Sequence, residues 1–228
     1  MNDAGDYEIL ALTLQVALTA TLAIVPFGLV VAWTVAQSRG QGAAKILVES
    51  VLALPLVLPP TAVGIVLLML LAPDGFVGRW LDSIGVEIVF TWRAAALASA
   101  VMAFPLFVRS ARTAFEEIDP RLLGVARTLG DAPVRVFYRV ALPLAWRGVL
   151  AGALLSFCRA IGEFGATILI AGNIPGRTQT LALAIFQRSQ SGRDSDAMRL
   201  VALTSFIALA AVFASELLSR RRSKPFAR

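Results

Sequence analysis

The stretch ARTLGDAPVRVFYRVALP, residues 126–143, places charged residues, a glycine and two prolines between two long apolar parts of the chain. Of the 228 residues, 57% are hydrophobic, and the mean hydropathy is +0.75. That composition is too apolar for an ordinary soluble domain of this size. The sequence therefore predicts an integral membrane protein in which 126–143 belongs to a structured segment outside the bilayer.

Asp119 and Pro120, just upstream, are typical of the beginning of a helix. The Asp119 carboxylate can accept a hydrogen bond from the first turn, and Pro120 suits the first helical position because no amide donor is needed there. We expect this helix to end at Gly130, because glycine adopts the left-handed conformation at low cost. A second helix should follow at once, with Asp131 as its cap and Pro133 in its first turn.

Pro143 is expected to end or bend this second helix before the next apolar span. Residues 115–146 would then form two short helices that meet at a rigid glycine turn. Two roles are open for the first helix, which carries apolar side chains beside basic ones. It could lie on the lipid surface as an amphipathic element, or dock into a groove on a soluble partner. Its apolar residues are Leu122, Leu123, Val125, Ala126 and Leu129.

The rest of the chain contains five apolar spans long enough to cross a bilayer, which needs about 20 helical residues. The spans are continuously apolar rather than alternating, so helices are expected and not membrane strands. The segment 172–196 is expected to lie outside or to re-enter the membrane. The five spans are placed at about 9–36, 46–72, 92–114, 147–171 and 197–219.

Basic residues predict the orientation, because short cytoplasmic loops are enriched in Lys and Arg. Most of the 21 Lys and Arg fall on the same side as 115–146, including those of the C-terminal SRRRSKPFAR. The N-terminus is therefore expected outside and the C-terminus inside. A sixth span through 180–187 is rejected because it is too short and would move this tail outside. A short re-entrant or surface helix is expected there instead.

Three prolines, Pro55, Pro59 and Pro60, lie close together in the second span. Each one removes an amide donor and clashes with the preceding turn of a helix. Three within six residues exceed what a single kink requires, so we expect a discontinuous helix, of the kind that lines a cavity in transporters.

The fourth span carries small residues every four positions and one pair of opposite charges. The small residues lie on one helix face and predict close packing against another helix, within the chain or across a dimer. Arg159 and Glu163 are four residues apart, so they can pair on one side of the helix. The pair is either a structural ion pair or a contact for a substrate on a water-filled path. The small residues are Gly148, Gly152, Ser156 and Ala160.

Phe164 lies between Gly162 and Gly165, where the backbone can approach a neighbour closely. Its ring could close a path by excluding water, or it could simply pack against lipid or a helix.

The order Gly130, nine residues, Val140-x-Leu142-Pro143 resembles the cytoplasmic signature of ABC importer permeases, Glu-Ala-Ala-x3-Gly-x9-Ile-x-Leu-Pro. In this chain 124–126 reads Gly-Val-Ala, so the signature's acidic residue is missing. A partner contact that the family makes through that glutamate is therefore not expected here.

Four longer stretches resemble the molybdate branch of these permeases. They are LPLVLPPTAVG (54–64), AFEEIDPRL (114–122), ARTLGDAP (126–133) and RAIGEFGATILIAGNIPGRTQTL (159–181). The resemblance implies an all-α permease that works as a homodimer in the bacterial plasma membrane. It further implies two cytoplasmic ATPase subunits, which use ATP and Mg, and a periplasmic protein that delivers the oxyanion.

Two sets of residues are expected to carry the function, the first through the resemblance and the second through the broken helix, the ion pair and the glycine-flanked ring described above. The residues expected to couple the permease to the ATPase are Pro120, Leu123, Ala126, Arg127, Leu129, Gly130, Asp131, Pro133, Leu142 and Pro143. Those expected on the translocation path or at its gate are Pro59, Pro60, Arg159, Glu163, Phe164 and Gly165.

Several classes of function are excluded by what the sequence lacks. It has no GxxxxGK[ST] phosphate loop, so this subunit is not the ATPase and binds no nucleotide cofactor. With no histidine and a single cysteine, Cys158, it offers no zinc site. No pattern indicates catalysis or nucleic-acid binding. The function expected is molybdate import, with tungstate sharing the path; the alternatives are a sulfate or thiosulfate permease, and a secondary transporter or channel.

Overall fold

The computed structural model describes residues 5–38 and 42–220, and all regular structure in these two ranges is helical. Arg39 and residues 221–228, which contributed to the expected orientation, lie outside the described residues. The helices are α1 (Asp6–Gln37), α2 (Ala43–Val57), α3 (Pro60–Leu71), α4 (Phe76–Ser83), α5 (Trp92–Glu116), α6 (Pro120–Thr128), α7 (Pro133–Val136), a π-helical turn (Phe137–Ala141), α8 (Leu142–Ile161), α9 (Gly165–Ile170), α10 (Leu181–Gln190) and α11 (Asp194–Arg220).

Four helical stretches of the described chain are long and apolar enough to cross a membrane. The bent pair α2 and α3 makes a fifth if it is counted as one span. An all-helical membrane protein with about five spans is therefore confirmed. The four stretches are Asp6–Gln37, Trp92–Glu116, Pro133–Ile161 and Asp194–Leu217.

The second span is broken, as the prolines predict. α2 ends at Val57, α3 begins at Pro60, and the two helices are bent by 104° relative to each other. Pro60 occupies the first turn of α3, where its missing amide leaves no hydrogen bond unmade.

Pro143 does not end the helix before the fourth span, so that half of the expectation is wrong. The helix runs on from Pro133 to Ile161, and Pro143 lies in the first turn of α8. The reason is the preceding π-helical turn, in which the Leu142 amide donates to the Phe137 carbonyl five residues back. This wider turn moves the carbonyls with which the proline ring would otherwise clash, so the helix continues through Pro143.

The same span ends earlier than the range 147–171 implies. α8 stops at Ile161, residues 162–164 are not helical, and a separate short helix, α9, follows from Gly165. The fourth span is therefore broken like the second, although no proline marks the break.

The core is formed where α1, α5 and α8 pack together. The small residues of α8 allow this close approach within the chain: a Cβ at Gly152 would lie 2.8 Å from the Cβ of Ser110. Two hydroxyls add polar contacts, since Ser110 donates to the Gly148 carbonyl at 3.4 Å and Ser156 to the Ala103 carbonyl at 3.5 Å. Of the two partners left open by the sequence, the small-residue face meets a helix of its own chain.

The segment between the fourth and last spans contains α10, a helix of ten residues with Leu181 and Leu183 fully buried. Both ends of α10 are bonded to α1. The Leu181 amide donates to the Thr13 hydroxyl at 2.9 Å, and Arg188 pairs with Asp6 at 2.7 Å.

Candidate functional site

The corner between α6 and α7 has the capped start and glycine end that the sequence predicts. The Asp119 carboxylate accepts the Arg121 amide at 2.8 Å. At the other end Gly130 has φ +90°, its amide donates to the Arg127 carbonyl at 3.0 Å, and the Asp131 amide donates to the Ala126 carbonyl at 3.1 Å. These two bonds form a Schellman motif, which satisfies the last carbonyls of the helix and requires a left-handed residue.

Asp131 does not cap the second helix, so that expectation is wrong. Ala132 is the N-cap, without a side-chain hydrogen bond, because Pro133 takes the first helical position. Asp131 already closes the Schellman motif through its amide, and its carboxylate pairs with Arg135 at 3.3 Å.

The apolar residues of α6 divide between two faces. Leu123 and Ala126 are buried and attach the helix to the bundle, where Arg127 also donates to the Gln37 side chain of α1 at 3.0 Å. The opposite face is exposed, and Leu129 is the extreme case with 81% of its surface accessible. We call this face the corner patch; it consists of Leu122, Val125 and Leu129.

Three aromatic rings lie on the inner side of the corner. Trp33 contacts Phe115 with ring centres 5.3 Å apart and Phe137 at 5.5 Å, while Phe115 and Phe137 are 5.8 Å apart. The three rings come from α1, α5 and the π-helical turn. They connect the corner to the two central helices of the core.

Gly124, at the position of the signature glutamate, is exposed on α6. A Cβ built there would have no atom within 4 Å. The described chain therefore leaves room for a larger side chain at position 124, and no neighbour accounts for the absence of the glutamate.

The two broken spans meet at their breaks. A Cβ at Gly165, the first residue of α9, would lie 2.8 Å from the Cβ of Pro60, the first residue of α3. One turn further, a Cβ at Gly64 would lie 2.9 Å from the Cα of Ala166. Only residues without a Cβ allow the half-helices to approach this closely. The structure thus brings Pro60 and Gly165 together, with Pro59 as the N-cap of α3.

Arg159 and Glu163 form an ion pair at this meeting point. An Arg159 guanidinium nitrogen, Nη1, lies 2.6 Å from Glu163 Oε2, and the side chains are 29% and 1% exposed. The other Glu163 oxygen, Oε1, accepts the Ala166 amide at 2.9 Å and so caps α9. The pair therefore bridges the break, with the cation on the last turn of α8 and the carboxylate at the start of α9.

Phe164 packs on α10 in the described chain, with its ring centre 5.0 Å from that of Phe186. Both rings line an open cavity of about 500 Å3 together with Ile161, Ala182 and Ile185. The corner and the meeting point of the broken spans are separate, and the long helix Pro133–Ile161 runs from one to the other.

In the part of the chain that the structure describes, no group of three or more His, Cys, Asp or Glu side chains is placed to hold a metal ion.

Comparison with known proteins gives consistent matches. The family model "Binding-protein-dependent transport system inner membrane component" matches residues 24–223. The molybdenum transport system permease protein ModB of Escherichia coli (strain K12) is 43% identical over 217 residues, 94% of this chain and 94% of that protein. The sulfate transport system permease protein CysT of the same strain is 37% identical over 178 residues, 78% of this chain and 64% of that protein.

The fold is shared with a solved structure. A chain of the bacterial alginate ABC transporter, crystallised with an alginate pentasaccharide-bound periplasmic protein, superposes with a TM-score of 0.72 at 19% identity. The match covers 96% of this chain and 79% of that one.

Proposed function

The chain belongs to the family of binding-protein-dependent transport system inner membrane components, and from this premise we propose that it is the permease subunit of an ATP-driven molybdate importer. The observation that carries the proposal is the 43% identity to the molybdenum permease ModB over 94% of both chains. The sulfate permease CysT matches a smaller part of this chain at lower identity, which favours molybdate over sulfate. Tungstate, with the same charge and shape, would share the path.

The corner patch is proposed as the docking surface for a cytoplasmic ATPase subunit, one for each of two permease copies. Exposed Leu122, Val125 and Leu129 suit an apolar groove, and the Schellman turn fixes the angle at which they are presented. ATP and Mg would be used by that partner, because this chain has no phosphate loop.

The continuous helix Pro133–Ile161 is proposed to carry the motion from the corner to the membrane interior. Its 29 residues span about 43 Å at 1.5 Å per residue. Because the π-helical turn keeps the rod unbroken past Pro143, a displacement of α7 moves the end of α8, where Arg159 holds Glu163. ATP binding would then favour one of two arrangements of the broken spans.

The meeting point of the broken spans is proposed to line the translocation path, with a second copy of the chain completing it. Pro59, Pro60, Gly165 and the Arg159–Glu163 pair lie at or next to the two breaks. Non-helical backbone at membrane depth is tolerated where protein or water covers it, so the breaks favour this position over the lipid-facing surface.

The test is uptake into sealed vesicles that contain the permease and its ATPase, supplied with the binding protein and ATP. We expect uptake of labelled molybdate and tungstate, and much weaker uptake of sulfate. Preferential sulfate uptake would assign the chain to the sulfate branch. Uptake without the ATPase would make it a secondary transporter or channel.

The proposed orientation is tested by single cysteines in a Cys158→Ala background. Ser83→Cys, exposed at the end of α4, should react with an impermeant thiol reagent added outside intact cells. Thr128→Cys, exposed at the end of α6, should react only after the membrane is opened. Labelling in the reverse order would invert the topology and place the corner patch out of reach of a cytoplasmic ATPase.

Phe164→Ala tests the proposed gate. Removing one ring of the Phe164–Phe186 contact opens the adjoining cavity, so we expect oxyanion leak through vesicles without ATP, or ATP hydrolysis that no longer drives uptake. Phe213→Ala, an exposed phenylalanine on α11, is the matched control and should behave like the wild type. Equal leak and coupling in both variants would remove Phe164 from the path.

A further inference from the structure

A second cavity, at the end of the molecule opposite the corner, carries two arginines. It has a volume of about 450 Å3 and lies between the start of α5, the side of α1 and the loop after α9. α5 runs from this cavity to the corner over 25 residues, about 37 Å, so the two features lie at opposite ends of the membrane-spanning core. We call it the outer cavity; its polar lining is Gln15, Thr91, Arg93 and Arg177.

Both arginines of the outer cavity lack an acidic partner in the described chain, and none of the cavity's lining residues is acidic. Two other arginines at this end are different, since Arg188 and Arg199 both pair with Asp6, at 2.7 and 2.8 Å. Two unneutralised guanidinium groups that face one concavity favour a ligand with two negative charges.

The backbone that carries the two arginines is fixed before any ligand binds. The Phe90 amide donates to the Ile170 carbonyl at 3.0 Å, which joins the approach to α5 to the end of α9. The fully buried Thr178 closes the loop, because its hydroxyl accepts the Ile174 amide at 3.0 Å and donates to the Gly172 carbonyl at 3.4 Å. Arg93 itself lies against Trp92, with its guanidinium carbon 6.0 Å from the ring centre.

We propose that the outer cavity is a capture subsite for a tetrahedral divalent oxyanion, held by Arg93 and Arg177 before it enters the membrane path. The inference rests on the proposed function and adds a binding site to it. A guanidinium group presents two parallel N–H donors, which match two oxygens on one face of such an anion. α9, six residues and about 9 Å long, separates the loop of Arg177 from the break at Glu163, so the subsite would lie outside the broken spans.

The exposure of both side chains determines how such a subsite behaves. Arg93 and Arg177 are open to solvent, so water and salt weaken the attraction and the anion can leave again. A site on a transport path must bind weakly enough to release its ligand. The subsite is therefore expected to concentrate oxyanions at the outer face and to discriminate poorly among molybdate, tungstate and sulfate.

The test is equilibrium binding of labelled molybdate to the permease–ATPase complex in lipid nanodiscs, at low ionic strength and without the binding protein. Arg93→Gln and Arg177→Gln should each weaken binding about tenfold, as expected for the loss of a charge-assisted hydrogen bond, and the double variant should abolish it. Arg93→Lys keeps the charge and should restore part of the affinity. Arg79→Gln removes an exposed arginine from α4, outside the cavity, and should change the affinity less than about twofold.

Three results would overturn the proposal. One is unchanged molybdate binding in the double Gln variant. Another is the absence of saturable binding to the wild type up to about 10 mM molybdate. The third is a double variant whose only defect is weaker association with the binding protein, since the arginines would then contact acidic side chains of that partner.

Sulfate, used as a second probe, separates this inference from the proposed function. If wild-type vesicles import molybdate but the arginine variants bind and import it normally, only the subsite is wrong. If the wild type fails to import molybdate while the arginines still bind sulfate, the subsite stands as an oxyanion site and the transported anion is reassigned.

Discussion

Gly130→Val is expected to reduce ATP-driven molybdate uptake at least about tenfold while the protein still inserts into the membrane. Gly130 has φ +90°, and a β-branched residue in that region costs about 2 kcal/mol or more. No atom lies within 4 Å of a Cβ built at this position, so the cost comes from backbone strain and not from a clash. The turn should relax, the Schellman bonds should break, and the corner patch should lose its fixed angle.

The measurement is uptake together with ATP hydrolysis stimulated by the loaded binding protein, in vesicles with equal amounts of permease. Gly130→Asn is the rescue variant, because asparagine tolerates the left-handed region better than other residues with a side chain. Gly124→Ala is the matched control: it adds a side chain to the same exposed helix, again with no atom within 4 Å, but at helical dihedral angles. Normal uptake and stimulation in Gly130→Val would refute the coupling role of the corner.

The corner is the part of the protein that local sequence describes best. Asp119 and Pro120 at its start and Gly130 at its end act through bonds to residues within five positions, so their effect is readable from the chain. The prediction that Asp131 caps the second helix is wrong because two neighbouring motifs determine the structure at this residue. The Schellman turn uses its amide, and Pro133 shifts the cap of the next helix to Ala132.

The two broken spans show the limit of prediction from local sequence. The prolines around Pro60 announce the first break, because proline disrupts a helix wherever it occurs in its interior. The second break, at 162–164, has only glycines as a signal. Position 165 must be a glycine because a Cβ there would lie 2.8 Å from the Cβ of Pro60, a residue about 100 positions away in the chain. A contact of that separation leaves no periodic trace in a single sequence.

The same limit applies to the features that the sequence missed altogether. The cluster of Trp33, Phe115 and Phe137 and the outer cavity of Arg93 and Arg177 each join residues from distant elements. α4 was missed for a different reason. It has eight residues, too few for a membrane span, and lies in a connection that contains both glycine and charge.

Glu163→Gln is expected to lower the stability of the permease by roughly 1–3 kcal/mol, because it leaves the partly exposed Arg159 guanidinium without its partner. The amide can still accept the Ala166 N–H through Oε1, so the cap of α9 survives. What is lost is the charge of Oε2, which lies 2.6 Å from the Arg159 guanidinium in a site where the glutamate is 1% exposed. The effect should appear as a lower midpoint of thermal unfolding in detergent, measured with and without the ATPase bound.

The double variant Arg159→Gln/Glu163→Gln identifies the cause of that loss. If the pair is structural, removing both charges should restore more than half of the lost stability, since no charge is then left unpaired at the break. Arg135→Gln breaks the exposed ion pair with Asp131 and should lower the stability by less than about 0.5 kcal/mol. This variant measures how much a surface ion pair contributes to stability. If instead Glu163→Gln is as stable as the wild type and only the passage of molybdate changes, the pair contacts the anion, and the charges at the break belong to the path itself.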